Sequence, residues 1–95
     1  MKIPTKFTIG GLTWTVRRVK SLKGMYGSCH IPTQTIKILD TLAPELKEQT
    51  FCHELVHAIL YGKGILTENH DEQLVDSFAM LLHQYMNSVV YDDNT

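Results

Sequence analysis

One short segment of this chain combines residue types that can bind a metal ion and move a proton. His53 and His57 lie four residues apart on either side of Glu54, which gives the pattern H-E-x-x-H. On a helix, residues four apart lie on one face about one turn apart, so both imidazoles can aim at one point. Two imidazole nitrogens at about 2.0–2.1 Å supply half of a tetrahedral zinc site. The spacing therefore predicts a metal site on a helix.

Glu54 follows His53 directly and lies about 100° further round the same helix. It is close to the metal without having to bind it, so its carboxylate can take a proton from water bound by zinc. Zinc lowers the pKa of such water to about 7, which makes hydroxide available near neutral pH. The alternative is two surface histidines beside an unrelated glutamate. The metal site is favoured because the segment also carries apolar residues for a core, at Phe51, Leu55, Val56, Ile59 and Leu60.

A catalytic zinc site usually has three protein ligands and leaves the fourth position to water. Glu72 is predicted to supply the third ligand, because it opens a second helix that a short loop would fold back towards the histidines. Asp76 lies one turn further on, where its carboxylate could accept a hydrogen bond from the spare N–H of a ligand histidine. The alternative is a pair of exposed acids in a first helical turn, which the helix dipole favours.

Other side chains compete for the third position. His70 is chemically suited and would give a three-histidine site, and Asp71 is adjacent to it. His83 lies three turns beyond Glu72, about 16 Å along the helix axis, which is too far to share the metal. We expect His83 to be at the surface or partly packed.

The motif His53-Glu54-Leu55-Val56-His57, followed by the segment from Glu72 to Leu82, resembles the ImmA/IrrE-type zincin metallopeptidases. Many members of that family are encoded by phages and mobile elements. The resemblance covers roughly residues 35–85. Two positions depart from the family pattern, because Val56 replaces the usual glycine and Leu74 replaces a second glutamate.

The resemblance implies a zincin-like domain that hydrolyses peptide bonds with one zinc ion per chain. It also implies that Glu72 is the third metal ligand, since it corresponds to the first glutamate of the family's second motif. Asp76 falls where the family often has asparagine. The implied metal ligands are thus His53, His57 and Glu72, with Glu54 as the catalytic residue.

The chain is predicted to form one domain over residues 1–95, because it is short and has no linker. Strands are expected at about 3–39, the active-site helix at about 42–61 and the second helix at about 69–90. Gly10-Gly11 predicts a two-residue hairpin turn. The expected architecture is α+β: a small antiparallel or mixed sheet of three to four strands, followed by two packed helices.

The ends and the buried face of the helices are also predicted. Asp40 or Thr41 can cap the first helix, which Gly62 and Gly64 should stop. Asn69 can cap the second helix, and Glu72 three residues later would complete a capping box with it. A stripe of apolar residues at helical spacing is expected to pack in the core: Leu74, Val75, Phe78, Leu81, Leu82, Tyr85 and Val89.

Composition excludes several classes of function. Hydrophobic residues make up 43% of the chain, charged residues 20%, and the net charge is near -1, so no nucleic-acid footprint is present. No apolar run approaches the ~18 residues of a membrane span, and the N-terminal segment lacks a secretory signal. We therefore expect a cytoplasmic protein with no membrane partner. Cys29 and Cys52 should be reduced, Cys52 as a buried thiol, and a metal pair of Cys29 with His30 is disfavoured because adjacent strand residues point to opposite faces.

The predicted function is that of a zinc metallopeptidase acting on a peptide or protein substrate, with the oligomeric state open. One alternative is a non-catalytic zinc-containing module that binds proteins, and another is a metallohydrolase acting on a non-peptide bond. An extended substrate could add as a strand along 26–30 or 35–39. The residue that stabilises the oxyanion is left open among Tyr26, Tyr61, Tyr85, His70 and His30.

Overall fold

The computed structural model describes residues 1–92 and contains a mixed sheet of four strands followed by two helices. The strands are β1 (Lys6–Ile9), β2 (Leu12–Val19), β3 (Gly27–His30) and β4 (Thr35–Leu39). The helices are α1 (Pro44–Gly62) and α2 (Glu72–Ser88). The predicted α+β architecture is confirmed, and residues 93–95 of the predicted domain lie outside the described residues.

The strands are ordered β1-β2-β4-β3 in the sheet. β1 and β2 form the predicted hairpin, in which Gly10 and Gly11 have φ values of 59° and 80° that suit a tight two-residue turn. After β2 the chain crosses to the outer position to form β3 and then returns as β4. β4 therefore runs parallel to β2 and antiparallel to β3, which makes β3 an edge strand and leaves β4 paired on both sides.

The core lies between one face of the sheet and α1. On β2, Trp14 and Val16 are two residues apart and therefore share a face, and both are buried. On β4, Ile36 and Ile38 extend the same buried surface. The two helices complete this core with Phe51, Cys52, Val56, Ala58, Val75 and Ala79.

The first helix begins without the side-chain cap that the sequence predicted. Ala43 occupies the N-cap position of α1 and makes no side-chain hydrogen bond there. Asp40 instead pairs with Lys47, with Oδ1 and Nζ 2.9 Å apart. The end of α1 agrees with the prediction, because Gly64 has a φ of 97° and reverses the chain just beyond the helix.

The second helix begins three residues later than predicted. Asn69 ends a short 3-10 turn (Thr67–Asn69), so Asp71 is the N-cap of α2. Its Oδ1 accepts hydrogen bonds from the backbone N–H groups of Gln73 and Leu74, at 2.9 and 3.2 Å. The cap places Glu72 in the first turn of α2, where it contacts His53 and His57 of α1.

The predicted core stripe of α2 is wrong for most of its members. The face that packs on α1 is narrow and is formed by Val75, Ala79 and His83, with Leu82 half-buried beside it. Because Ala79 is small and the helix has a single packing partner, side chains on the flanks stay in solvent. Four of the predicted core residues are between 49% and 58% exposed: Leu74, Phe78, Leu81 and Tyr85.

His83 was predicted to be at the surface or partly packed, and it is buried. Its Nε2 lies 2.9 Å from Oε1 of Glu48, and Asn87 is in contact with both side chains. This network holds the middle of α2 on the first turns of α1. None of the helices among residues 1–92 is long and apolar enough to cross a membrane.

Candidate metal centre

The two histidines of the H-E-x-x-H motif lie in the middle of α1 on the face that meets α2. Their ring centroids are 5.0 Å apart, as expected for residues one helical turn apart. Both side chains are only partly exposed, at 25% for His53 and 12% for His57. A rigid helix with a packed core below it therefore fixes both imidazoles.

Glu72 bridges the two imidazoles from the start of α2. Its Oε2 lies 3.3 Å from Nε2 of His53, and its Oε1 lies 3.1 Å from Nε2 of His57. Ligands about 2.1 Å from a tetrahedral zinc ion are about 3.4 Å from each other, so these separations are close to those of a zinc site. The ligand atoms of the three residues all lie within 4.8 Å of one another.

The opposite nitrogens of the two rings have different partners. Nδ1 of His53 lies 2.7 Å from Oδ1 of Asp76, as the sequence predicted for an orienting carboxylate. Nδ1 of His57 shares a hydrogen bond of 2.8 Å with Nδ1 of His70. Both rings are thus held from the Nδ1 side, which directs both Nε2 atoms towards Glu72.

The donor set fits zinc. Two imidazole nitrogens and a carboxylate are ligands of zinc in catalytic sites, and the structure presents all three at one point. Burial lowers the pKa of His57 below its usual value, an effect larger than the opposing one of Glu72, so the neutral ring that a metal requires is favoured. Within residues 1–92, the group of possible ligands contains these three residues and no fourth.

Glu54 follows His53 on α1, lines the same cleft and is only 8% exposed. Burial, with a further contribution from Glu72, raises its pKa to about 7, although His53 opposes the shift. The carboxyl group lies where β3 comes close to α1. A Cβ atom at Gly27 would be 2.5 Å from Cγ2 of Thr50 and 3.3 Å from Cγ of Glu54, so this approach requires glycine.

A cleft of about 630 Å³ opens beside the motif. His53, Glu54 and Asp76 line one part of it. The remainder is formed by the segment leading into β3 and by α2, including Met25, Tyr26, Ala79 and Met80. Of the residues predicted as candidates for oxyanion stabilisation, Tyr26 is the one that lines this cleft.

The remaining histidines and cysteines do not join the centre. His30 shares a hydrogen bond with Thr33, with Nδ1 and Oγ1 2.9 Å apart. Cys52 is a fully buried free thiol, as predicted, and Cys29 is a free thiol in a partly buried position. Sequence reasoning missed the contact between His57 and His70. Their spacing carried no signal for it, because the intervening loop decides where His70 lies.

Comparisons of the chain with protein-family models, with curated proteins and with solved structures gave no match. The resemblance to the ImmA/IrrE-type zincins therefore stays a prediction from two motifs. The geometry of the centre and the chemistry of its side chains are what indicate a function.

Proposed function

We propose that this protein is a zinc-dependent metallopeptidase. The observation that carries the proposal is the position of Glu54, a buried carboxyl group that lines the same cleft as His53. A protein that used the three ligands only as a structural clamp would have no need for a buried acid beside them. Burial of a carboxyl group is unfavourable, and a buried acid with a raised pKa in a cleft is typical of a functional site.

In this mechanism His53, His57 and Glu72 hold the metal through Nε2, Nε2 and the carboxylate. Bound there, zinc supplies a Lewis acid that makes water acidic enough to react near neutral pH. Asp76 holds the ring of His53 through Nδ1 and fixes its direction. These residues together position the reacting groups before any bond changes.

Glu54 moves the proton. Its carboxylate takes a proton from the attacking water and then delivers it to the nitrogen of the leaving amine, so that the residue ends the cycle as it began. It is buried beside Gly27 of β3 and lines the cleft that a substrate would enter. Tyr26 lines the same cleft, and its hydroxyl is suited to stabilise negative charge on the peptide carbonyl oxygen.

Two segments of the sheet were predicted to pair with an extended substrate, 26–30 and 35–39, and one of them lies at an edge of the sheet. β4 is paired with β2 on one side and β3 on the other, so the segment 35–39 has no free edge. β3 is an edge strand, and the residues that lead into it line the cleft. A peptide backbone adding to β3 would therefore run past Glu54 and His53. The predicted cytoplasmic location stays a prediction.

Substitution of Glu54 by glutamine tests this function. The zinc-loaded wild-type protein and the variant are incubated with a peptide mixture from a digested proteome, and new peptide termini are identified by mass spectrometry. We expect cleavage by the wild-type protein and a loss of at least about 100-fold in Glu54→Gln, since a general base contributes about 10²–10⁴ in rate. Both proteins should bind one zinc ion per chain.

Glu45→Gln is the matched control, because it removes an exposed carboxylate from the first turn of the same helix. It should cleave like the wild-type protein. Equal cleavage by Glu54→Gln would overturn the mechanism. Stoichiometric zinc without cleavage in any of the three proteins would instead identify a non-catalytic zinc-containing module.

A further inference from the structure

His70 lies in the connection between α1 and α2, directly after the 3-10 turn that precedes α2. Its side chain is half-buried, and both of its ring nitrogens have partners. Nδ1 is 2.8 Å from Nδ1 of His57, and Nε2 is 2.9 Å from the backbone carbonyl oxygen of Ile65. The planes of the two rings differ by 15°. Neither nitrogen of His70 is left to bind a metal, which argues against the alternative of a three-histidine site.

The partners determine where the protons lie. A carbonyl oxygen only accepts, so Nε2 of His70 carries hydrogen and donates to Ile65. In a neutral imidazole the other nitrogen is then an acceptor, so Nδ1 of His57 donates to Nδ1 of His70. Nε2 of His57 then offers a lone pair 3.1 Å from an oxygen of Glu72. Because a carboxylate also only accepts, this tautomer requires a metal ion or a proton between the two atoms.

We propose that His70 is a positioning residue for the metal centre. It selects the tautomer of His57 that has a free Nε2 and holds the ring in the direction of the other ligands, while the carbonyl group of Ile65 fixes His70 itself. The inference rests on the proposed metal site. In that site His70 would hold the ring of His57 in the way that Asp76 holds the ring of His53. Groups that hold ligand histidines in this way typically change metal affinity by about 10–100-fold.

A pair of substitutions of nearly equal size separates this role from loop anchoring. His70→Asn keeps a hydrogen-bond acceptor near Nδ1 of His57, whereas His70→Leu has a similar shape and no acceptor. Both variants lose the donor to the carbonyl group of Ile65. Zinc affinity is measured by competition with a chromophoric chelator, which requires no turnover.

We expect His70→Leu to bind zinc about 10–100-fold more weakly than the wild-type protein. His70→Asn should retain most of the affinity. An equal loss in both variants would mean that His70 only anchors the loop, and this would overturn the proposal. Unchanged affinity in His70→Leu would overturn it as well.

A second measurement uses the zinc-loaded wild-type protein, so that it does not depend on correct folding of a variant. The ¹⁵N resonances of the imidazoles at pH 8 report which nitrogen of His70 carries hydrogen. We expect hydrogen on Nε2 and none on Nδ1, because Nε2 donates to Ile65 and Nδ1 accepts from His57. Hydrogen on Nδ1 of His70 would overturn the proposal. A wild-type protein that bound no zinc would overturn the proposed function, whereas zinc binding with hydrogen on Nδ1 of His70 would overturn only the role of His70.

Discussion

At the scale of single residues, the chemistry of the centre depends on what lies behind each ligand. His53 and His57 are both histidines of α1, but a carboxylate holds the ring of His53 and an imidazole holds the ring of His57. The two rings thus have chemically different partners. The carboxyl group of Glu54 is set apart from both by its burial.

The two thiols give a prediction at this scale. Burial is the main cause that raises the pKa of Cys29 to about 12 and that of Cys52 to about 11. A raised pKa means less thiolate at pH 8, and the thiolate is the reactive form. We expect alkylation by iodoacetamide at pH 8 to be at least about 100-fold slower in the folded protein than in urea.

Mass spectrometry after timed quenching measures this rate for each cysteine separately. A model peptide with one cysteine, treated in both solvents, corrects for the effect of urea on the reagent. Cys29 is the less buried of the two and therefore gives the stricter test. Its alkylation at the same rate in the folded and unfolded states would contradict the prediction.

At the scale of elements, the packing of α2 on α1 determines where the third ligand lies. The buried face of α2 is formed by Val75 and Ala79 with His83 further along, so the helix contacts α1 along a narrow line. Asp71 caps α2 and thereby sets where its first turn begins. Glu72 reaches the histidines because the cap and the packing face together fix the rotation of the helix.

Stability measurements can test this description of α2. Val75 is fully buried, whereas Phe78 is 57% exposed although it is the larger apolar residue. We expect Val75→Ala to lower the free energy of unfolding by about 1–3 kcal/mol, because it leaves a cavity between the helices. Phe78→Ala should lower it by less than about 1 kcal/mol.

Urea unfolding followed by circular dichroism gives both values under one set of conditions. Leu81→Ala is a useful companion, because Leu81 is 58% exposed and should behave like Phe78. A larger loss for Phe78→Ala than for Val75→Ala would show that the apolar stripe is packed, as the sequence alone suggested.

At the scale of the whole molecule, the proposed metal centre lies between two helices that otherwise meet along a narrow face. His53 and His57 come from α1 and Glu72 comes from α2, so an ion held by the three would link the two elements. A ligand that binds only the folded state stabilises it by mass action. Zinc should therefore stabilise the fold as a whole in addition to serving the reaction.

We expect zinc to raise the free energy of unfolding by about 2.7 kcal/mol at a free concentration one hundred times its dissociation constant. Thermal unfolding with and without zinc measures the effect, and a chelator should reverse it. Glu72→Gln should reduce the shift, while Glu54→Gln should keep it. An unfolding temperature that did not respond to zinc in the wild-type protein would contradict the proposed metal site.

Local sequence patterns were sufficient for much of this protein. The hairpin at Gly10-Gly11, the buried alternation of β2 and the pairing of His53 with His57 follow from spacing along the chain, because strand and helix periodicities are local. The same periodicity predicted that Glu72 and Asp76 lie beside the histidines, and their contacts with His53 and His57 agree with this. Once α2 folds back on α1, residues one turn apart must face the same side.

Only the tertiary structure decided the remaining features. The parallel pairing of β2 with β4 depends on a crossover through β3, which no short pattern encodes. The exposure of Phe78 depends on how many elements pack against α2, and the contact between His57 and His70 depends on the path of a loop. Periodicity determines which residues share a face of an element, but the number and position of neighbouring elements determine which of those faces is buried.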